Sequence, residues 1–220
     1  MDLVVFAHPD PAGSHNASLL RYVRSHLQAS GKKFEVIDLH ADAFSPLMTA
    51  PEARAYGRGS ADALVKKYQN LVLKADRLVF IYPVWWYGPP AILKGFFDRV
   101  FAADFTYNFQ KMPAWQQALS PVGQLLSGYE PFYPIFAALM PVAQHLRGKR
   151  AVLINTFGGN AIGYYLYGRL PQRGADQAVL EFCGIRPIRR INWFNVRASR
   201  EGHLGEIPPG VKRQIEQALD

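Results

Sequence analysis

The sequence is poor in cysteine, in charge and in long apolar runs, and each shortage excludes something. Its single cysteine, Cys183, rules out a disulfide within the chain and fits a reducing, cytoplasmic setting. Phe182, Gly184 and Ile185 surround it with apolar matter and give it no reason to be reactive. No stretch reaches the roughly 20 apolar residues of a membrane-spanning helix. Residues 2–7 already read as a strand, too short for the apolar core of a secretion signal, so none is expected. Acidic residues number 17 against 25 lysines and arginines, a formal net charge of +8. That surplus favours a phosphate-bearing cofactor, nucleic acid or an acidic membrane surface. Arg186, Arg189, Arg190, Arg197, Arg200, Lys212 and Arg213 carry much of it, too sparsely for a nucleic-acid tail, so no nucleic acid is expected as partner. A charged fraction of 19% beside 49% apolar residues excludes a disordered chain. No metal site is expected, and there is no internal repeat or linker-like tract.

What is present is an alternation of buried strands and amphipathic helices in 220 residues, read as one domain over 1–220. Apolar, β-branched runs at 3–7, 78–82 and 151–155 suit buried strands, 34–39 reads as the second strand, and a fifth is expected near 190–196. Helical spacing follows the first run, with Leu19, Leu20, Val23 and Leu27 on one side and Gly31 as the stop. Further helices are expected over 61–74, 91–101, 176–182 and 211–219. Repeated βα units imply a parallel sheet with right-handed crossovers and helices on both faces.

Three loops then fall at the carboxyl ends of strands, the edge where ligands bind in open α/β sheets. The first, 8–16, opens a helix whose free N–H groups favour a phosphate, with Ser14, Asn16 and Ser18 as further donors. It lacks G-x-G-x-x-G, which argues against a Rossmann dinucleotide fingerprint. His8 either donates to a phosphate or caps the loop. The second loop, after Pro83, carries Val84, Trp85, Trp86 and Tyr87. These aromatics form either a wall for a flat ligand or a core cluster folded under the loop. The third holds Thr156, Phe157, Gly158 and Gly159, and the paired glycines let backbone approach a ligand. Together they describe a flavin site of flavodoxin type.

Ala7-His8-Pro9, the long motif Pro83-x-x-Trp86-Tyr87-Gly88-x-Pro90 through Lys94-Gly95-Phe96-Phe97-Asp98-Arg99 to Phe101, and Thr156-x-Gly158-Gly159 occur in an order that resembles the flavodoxin-like NAD(P)H:quinone oxidoreductases. The match spans most of 1–109 and 148–185. The resemblance implies an α/β three-layer sandwich whose five parallel strands run in the order 2-1-3-4-5. It implies FAD, with FMN the less expected cofactor, a homodimer, and ping-pong transfer of two electrons by hydride from NAD(P)H to quinones, with azo or nitro compounds as further acceptors. His8, Ser14, His15, Asn16 and Ser18 would lie near the diphosphate and ribityl chain. Pro83, Val84, Trp85, Trp86 and Tyr87 would line one side of the ring system, and Thr156, Phe157, Gly158 and Gly159 the other. Tyr164 aligns with the family's catalytic tyrosine, and Tyr107 and Phe109 with its substrate wall. Some relatives are instead ancillary subunits of potassium-efflux transporters, which gives a non-enzymatic alternative.

Two departures stand out. Leu170 occupies the place of the histidine that animal members pair with the tyrosine, with Arg169 or Arg173 as candidate replacements. The C-terminal extension of larger members is also not seen. The second departure is the apolar segment 112–146, longer than the family's usual connection. Its residues 121–146 carry Leu125, Leu126, Tyr129, Phe132, Tyr133, Ile135, Phe136, Leu139 and Met140, suited to a lid, a dimer face or a peripheral membrane contact.

Overall fold

The structure, a computed structural model, describes residues 1–55, 58–109, 111, 113–115, 117–118, 121–122, 142–166, 168–169, 172–196 and 206–220, without the side chains of 109, 172, 173, 176 and 177. The apolar runs become five parallel strands: β1 (Asp2–Phe6), β2 (Phe34–Asp38), β3 (Arg77–Pro83), and, after an antiparallel pair β4 (Tyr107–Phe109) and β5 (Val142–Gln144), β6 (Arg150–Thr156) and β7 (Ile188–Trp193). Their order is β2-β1-β3-β6-β7, which is the expected 2-1-3-4-5 among the strands of this sheet. The strand of 78–82 lies at its centre, buried along its whole length.

Alternation of side chains divides the core between the two faces. Val4, Phe6, Val79, Ile81, Val152, Ile154 and Trp193 pack under α1 (His15–Ala29) and the C-terminal helix, Pro209–Leu219. Leu3, Val5, Leu78, Phe80, Tyr82 and Leu153 face α3 (Ala63–Lys74), α4 (Ala91–Val100) and a ten-residue π-wound helix, Gln172–Glu181. The last of these stands where an ordinary helix over 176–182 is expected. Two short helices, α2 (Ala50–Arg54) and α5 (Ala161–Leu166), and the β4–β5 pair have no counterpart in the sequence reading. Most of the apolar segment, 123–141, and Leu170 lie outside the described residues, as does the side chain of Arg173.

Beyond β2 the chain makes an excursion that is fastened to α4 at two points. Gly95 lets it lie close, since a Cβ there would stand 2.4 Å from the Pro46 backbone. Buried Arg99 reaches Glu52 Oε1 at 2.6 Å, Asp62 Oδ2 at 2.7 Å and the Ser45 carbonyl at 2.7 Å, with its guanidinium over the Phe44 ring. Burial raises both carboxyl pKa values. The Arg99 guanidinium, with Thr49 on Glu52 and the Leu64 and Val65 N–H groups on Asp62, outweighs it, so both end below their ordinary 4.5 and 3.8. Carboxyls depressed in the folded state add stability that is complete above those ordinary values and lost as pH falls through the folded ones. Arg99→Met is therefore expected to flatten the decline of melting temperature below about pH 4.5, measured against the parent across an acid series.

Candidate functional site

Three loops at the carboxyl edge of β1, β3 and β6 meet, and backbone bonds join them. The Val84 N–H donates to the Thr156 carbonyl at 2.9 Å, and the Phe157 N–H to the Trp193 carbonyl at 2.8 Å. The Asn195 N–H donates to the Gly159 carbonyl at 3.0 Å, so the glycine loop is strapped to the end of β7. Asn16, 2% exposed, donates from Nδ2 to Thr156 Oγ1 at 2.9 Å and connects α1 to β6.

A cleft of about 790 Å³ opens between Val84, Trp85, Trp86 and Tyr87 on one side and Phe157, Gly158, Gly159, Asn160, Gly163 and Tyr164 on the other. A narrower cavity of about 280 Å³ continues from it past Val84, Trp85 and Gly158 toward His8, Asp10, Ser14, His15 and Asn16. The aromatic loop is a tight reversal in which the Trp85 and Gly88 N–H groups each donate to the other's carbonyl at 3.0 Å. Its two central residues, Trp86 and Tyr87, have φ of 47° and 59°. Turns of this hand normally carry asparagine or glycine, because a Cβ there is strained by roughly 1–2 kcal/mol per residue. Two bulky aromatics held in that geometry fit a functional constraint. Trp86 is 98% exposed, which excludes the core-cluster alternative for this residue.

On the opposite wall nothing lies within 4 Å of where a Gly159 Cβ would stand, and its φ is not in the left-handed region. The chain's own packing therefore does not require glycine at 159, which lines the cleft. Asn160 Oδ1 accepts from the Gly163 N–H at 2.8 Å and opens α5, which delivers Tyr164. Tyr164 is buried between Phe157 and Phe194, with ring centroids 5.4 and 5.6 Å away.

The first loop is more committed to itself than its composition suggests. Ser14 caps α1, accepting from the Ala17 N–H at 3.0 Å while its hydroxyl donates to the Asp10 carbonyl at 2.7 Å. His8 Nδ1 lies 3.0 Å from the Asp10 N–H and 3.2 Å from the Asp10 carbonyl, so the ring is tied to the Asp10 backbone. Burial lowers the His8 pKa, against Asp10, which raises it, and the net is below the ordinary 6.5, so the ring is neutral at pH 7. His15 stacks edge-on against Trp193 at 4.7 Å.

The structure thus brings His8, Ser14, His15, Asn16, Pro83, Val84, Trp85, Trp86, Tyr87, Thr156, Phe157, Gly158, Gly159 and Tyr164 to one connected cleft. Ser18 lies buried within α1, its hydroxyl accepting from Arg21 Nη2 at 2.8 Å, and does not line it. Tyr107 lies against Phe182 at 4.8 Å and lines a different hollow of about 310 Å³ with Phe97, Phe101 and Val179. The side chain of Phe109 lies outside the described residues. Cys183 borders that second hollow, and burial pushes its thiol up to about 11. Asp10, Asn160 and Gly163 are cleft residues that the sequence reading did not single out. For Asn160 the signal was present, an asparagine three residues before a glycine at a helix start.

A parallel sheet in this order, with its cleft at the carboxyl edge between β1, β3 and β6, defines a flavodoxin-like protein. A family described as having a flavodoxin-like fold matches residues 3–207. The ribosyldihydronicotinamide dehydrogenase [quinone] of Pongo abelii is 32% identical, over 96% of this chain and 89% of that protein. The NAD(P)H dehydrogenase [quinone] 1 of Cavia porcellus is 26% identical, over 99% and 77%. Smu.1420 from Streptococcus mutans UA159, a crystal structure, superposes with a TM-score of 0.70 at 28% identity, over 99% of this chain and 95% of that one. The chain belongs to the flavodoxin-like NAD(P)H:quinone oxidoreductase family.

Proposed function

We propose that the protein is a flavin-dependent oxidoreductase that takes two electrons from NAD(P)H and passes them to quinones, the two substrates using the cleft in turn. The observation that carries this reading is the cleft itself: aromatic side chains on one wall, a glycine with open space before it on the other, and a polar arm leading away. These residues fit a flavin. The flat ring system suits the gap between Trp85–Tyr87 and Phe157–Gly159. The unpartnered Asn16 Oδ1, buried in the polar arm, suits a ribityl hydroxyl.

A bound flavin supplies two-electron redox chemistry that no side chain has. The chain's own contribution is to bind, orient and exclude water. The backbone N–H groups of Gly158 and Gly159 would stabilise negative charge at the near edge of the ring system, because fixed donors in a dry site need no reorganisation. The Tyr164 hydroxyl would donate to the quinone oxygen as it gains charge. Its packing against Phe157 and Phe194 holds the ring, which is what a positioned donor needs. A planar, electron-poor azo or nitro compound meets the same walls, so these are included as acceptors.

FAD is the cofactor proposed, on the family resemblance alone; the cavity that continues past Trp85 toward His8 and Asn16 gives either flavin a polar arm. Trp86, Ile162, Tyr165 and Leu166 are 98%, 69%, 65% and 79% exposed around the mouth of the cleft. An apolar rim of that extent favours cover by a second copy, and a homodimer is part of the proposal. Among the described residues no helix is long and apolar enough to cross a membrane. The cytoplasmic setting remains part of the proposal and rests on the single cysteine.

The reading is tested by purifying the protein, releasing its flavin by heat, identifying it chromatographically, and following NAD(P)H oxidation with a simple benzoquinone. Bound FAD and quinone-dependent turnover are expected. A protein that takes up neither flavin ends this account, and flavin binding without turnover supports the ancillary-subunit alternative. Trp86 offers a second check. Trp86→Gly relieves a left-handed tryptophan and removes no buried contact, so apo-protein stability should rise by about 1 kcal/mol. Flavin affinity should fall about tenfold with loss of the aromatic contact, read by titration of the same apo-protein.

A further inference from the structure

Gly163 is the third residue of α5 and lines the cleft beside Tyr164. Glycine within a helix is unfavourable, because the unfolded chain has more freedom to lose there than with alanine. Two ordinary reasons for keeping it fail at this position. Its φ does not lie in the left-handed region, so the backbone accepts other residues. Its chain neighbours and its own helix backbone aside, the only described atom within 4 Å of a Cβ built there is Asn160 Oδ1, at 3.6 Å, an ordinary contact. That same oxygen accepts the Gly163 N–H at 2.8 Å, a bond that any side chain but proline at 163 would keep.

What glycine changes is the shape of the wall. Phe157 and Tyr164 line the same side of the cleft, with ring centroids 5.4 Å apart, and Trp85, Trp86 and Tyr87 stand opposite. Position 163 is thus a gap beside large rings. The cleft, at about 790 Å³, is toward the upper end of the roughly 300–1,000 Å³ of small-molecule sites. A gap between apolar ring faces suits a flat ligand that extends beyond a single ring.

We propose that Gly163 is a specificity-determining residue that opens the acceptor end of the cleft to fused tricyclic quinones. The inference rests on the flavin reading above. The gap adjoins Tyr164, the proposed donor to the quinone oxygen, so a quinone held by that hydroxyl carries its further rings past position 163. A nicotinamide or a benzoquinone is a single ring and does not use the gap. Each turnover converts NAD(P)H, one proton and the quinone into NAD(P)⁺ and the hydroquinone, whatever the number of rings.

The experiment measures kcat/KM for phenanthrenequinone and for benzoquinone with flavin-loaded wild type, Gly163→Ala and Gly163→Leu. The ratio of the two is the readout, because both acceptors draw on the same loaded protein and differences in flavin content divide out. One added methyl group should lower the tricyclic-to-monocyclic ratio about tenfold, and leucine about 100-fold. Both residues are better helix formers than glycine, so the apo-proteins should melt about 1–4 °C above wild type. A ratio unchanged in both variants overturns the inference. In that event, weakened flavin binding by the apo-protein would assign the gap to the cofactor, and a shift toward monomer in sedimentation would assign it to a second copy. A lower melting temperature for Gly163→Ala would show that α5 needs glycine for its own packing, and overturns the inference as well. Should the leucine variant fail to fold, the alanine variant decides alone. All these outcomes leave the flavin reading standing; wild type that takes up no flavin, or turns over neither quinone, removes that reading and this inference with it.

Discussion

Asp2→Ala is expected to lower the unfolding free energy by about 3–5 kcal/mol. Asp2 opens β1 and Arg77 opens β3, and the two are register partners. Both are buried, at 7% and 3% exposure. The pair is two-pronged, Arg77 Nε donating to Oδ1 at 2.9 Å and Nη2 to Oδ2 at 2.7 Å, while Nη1 donates to the Ala218 carbonyl at 2.9 Å. One guanidinium thus holds the amino edge of the sheet to the C-terminal helix. Removing the carboxylate leaves a buried charge with too few acceptors, and that penalty exceeds the value of the pair itself. The double variant Asp2→Ala with Arg77→Met should therefore recover much of the loss. Urea denaturation of the parent, both single variants and the double variant measures this, and a double variant that merely sums the two losses would show the sites to be independent.

Gly159→Leu should have the opposite profile: little change in stability and a large loss of ligand. No atom stands within 4 Å of the Cβ position, and the residue lines the cleft. Its carbonyl still accepts from the Asn195 N–H, so the strap to β7 survives. The apo-protein should unfold within about 0.5 kcal/mol of wild type. A branched side chain then fills the space proposed for the ring system, and flavin affinity should drop about 100-fold, roughly 2.7 kcal/mol. Titration and thermal denaturation of one preparation give both numbers. A variant that melts early yet binds normally would mean that glycine at 159 serves the loop and not a ligand.

β1, β3 and β6 were legible because each carries a near-continuous apolar run, the pattern of a strand buried on both faces. β2 and β7 are broken by Glu35, Arg189 and Arg190 and were placed by their spacing in the βα alternation. All five observed starts lie within two residues of expectation. The β4–β5 pair was not, because three-residue strands leave too short a period to read. The excursion at 45–62 was invisible for another reason: its anchor, Arg99, sits in α4 and finds Glu52 and Asp62 only in space. In the cleft, residue types were readable and their commitments were not. Ser14 reads as a cap or a phosphate donor, and its hydroxyl turns out to be engaged in capping and in holding Asp10. The reversal at Trp86 and Tyr87 carries neither of the residues that signal such a turn, so its hand could only be seen. Tyr107 follows a family alignment to a place this single chain does not bring near the cleft.

The order in which the cleft's walls lie along the chain has a consequence for synthesis. β1, β2 and β3 and the helices between them emerge within the first half of the chain, and they already include the first loop and the aromatic reversal. The opposite wall begins at Thr156 and is held by β7 and the residues just after it, through Trp193 and Asn195. A nascent chain therefore displays a half-built pocket, with Trp86 turned to water, until most of its length has left the ribosome. Occupation of the cleft cannot guide the early assembly of the sheet. It can only stabilise a sheet whose fourth and fifth strands are in place, which makes ligand uptake a late seal on an already threaded fold.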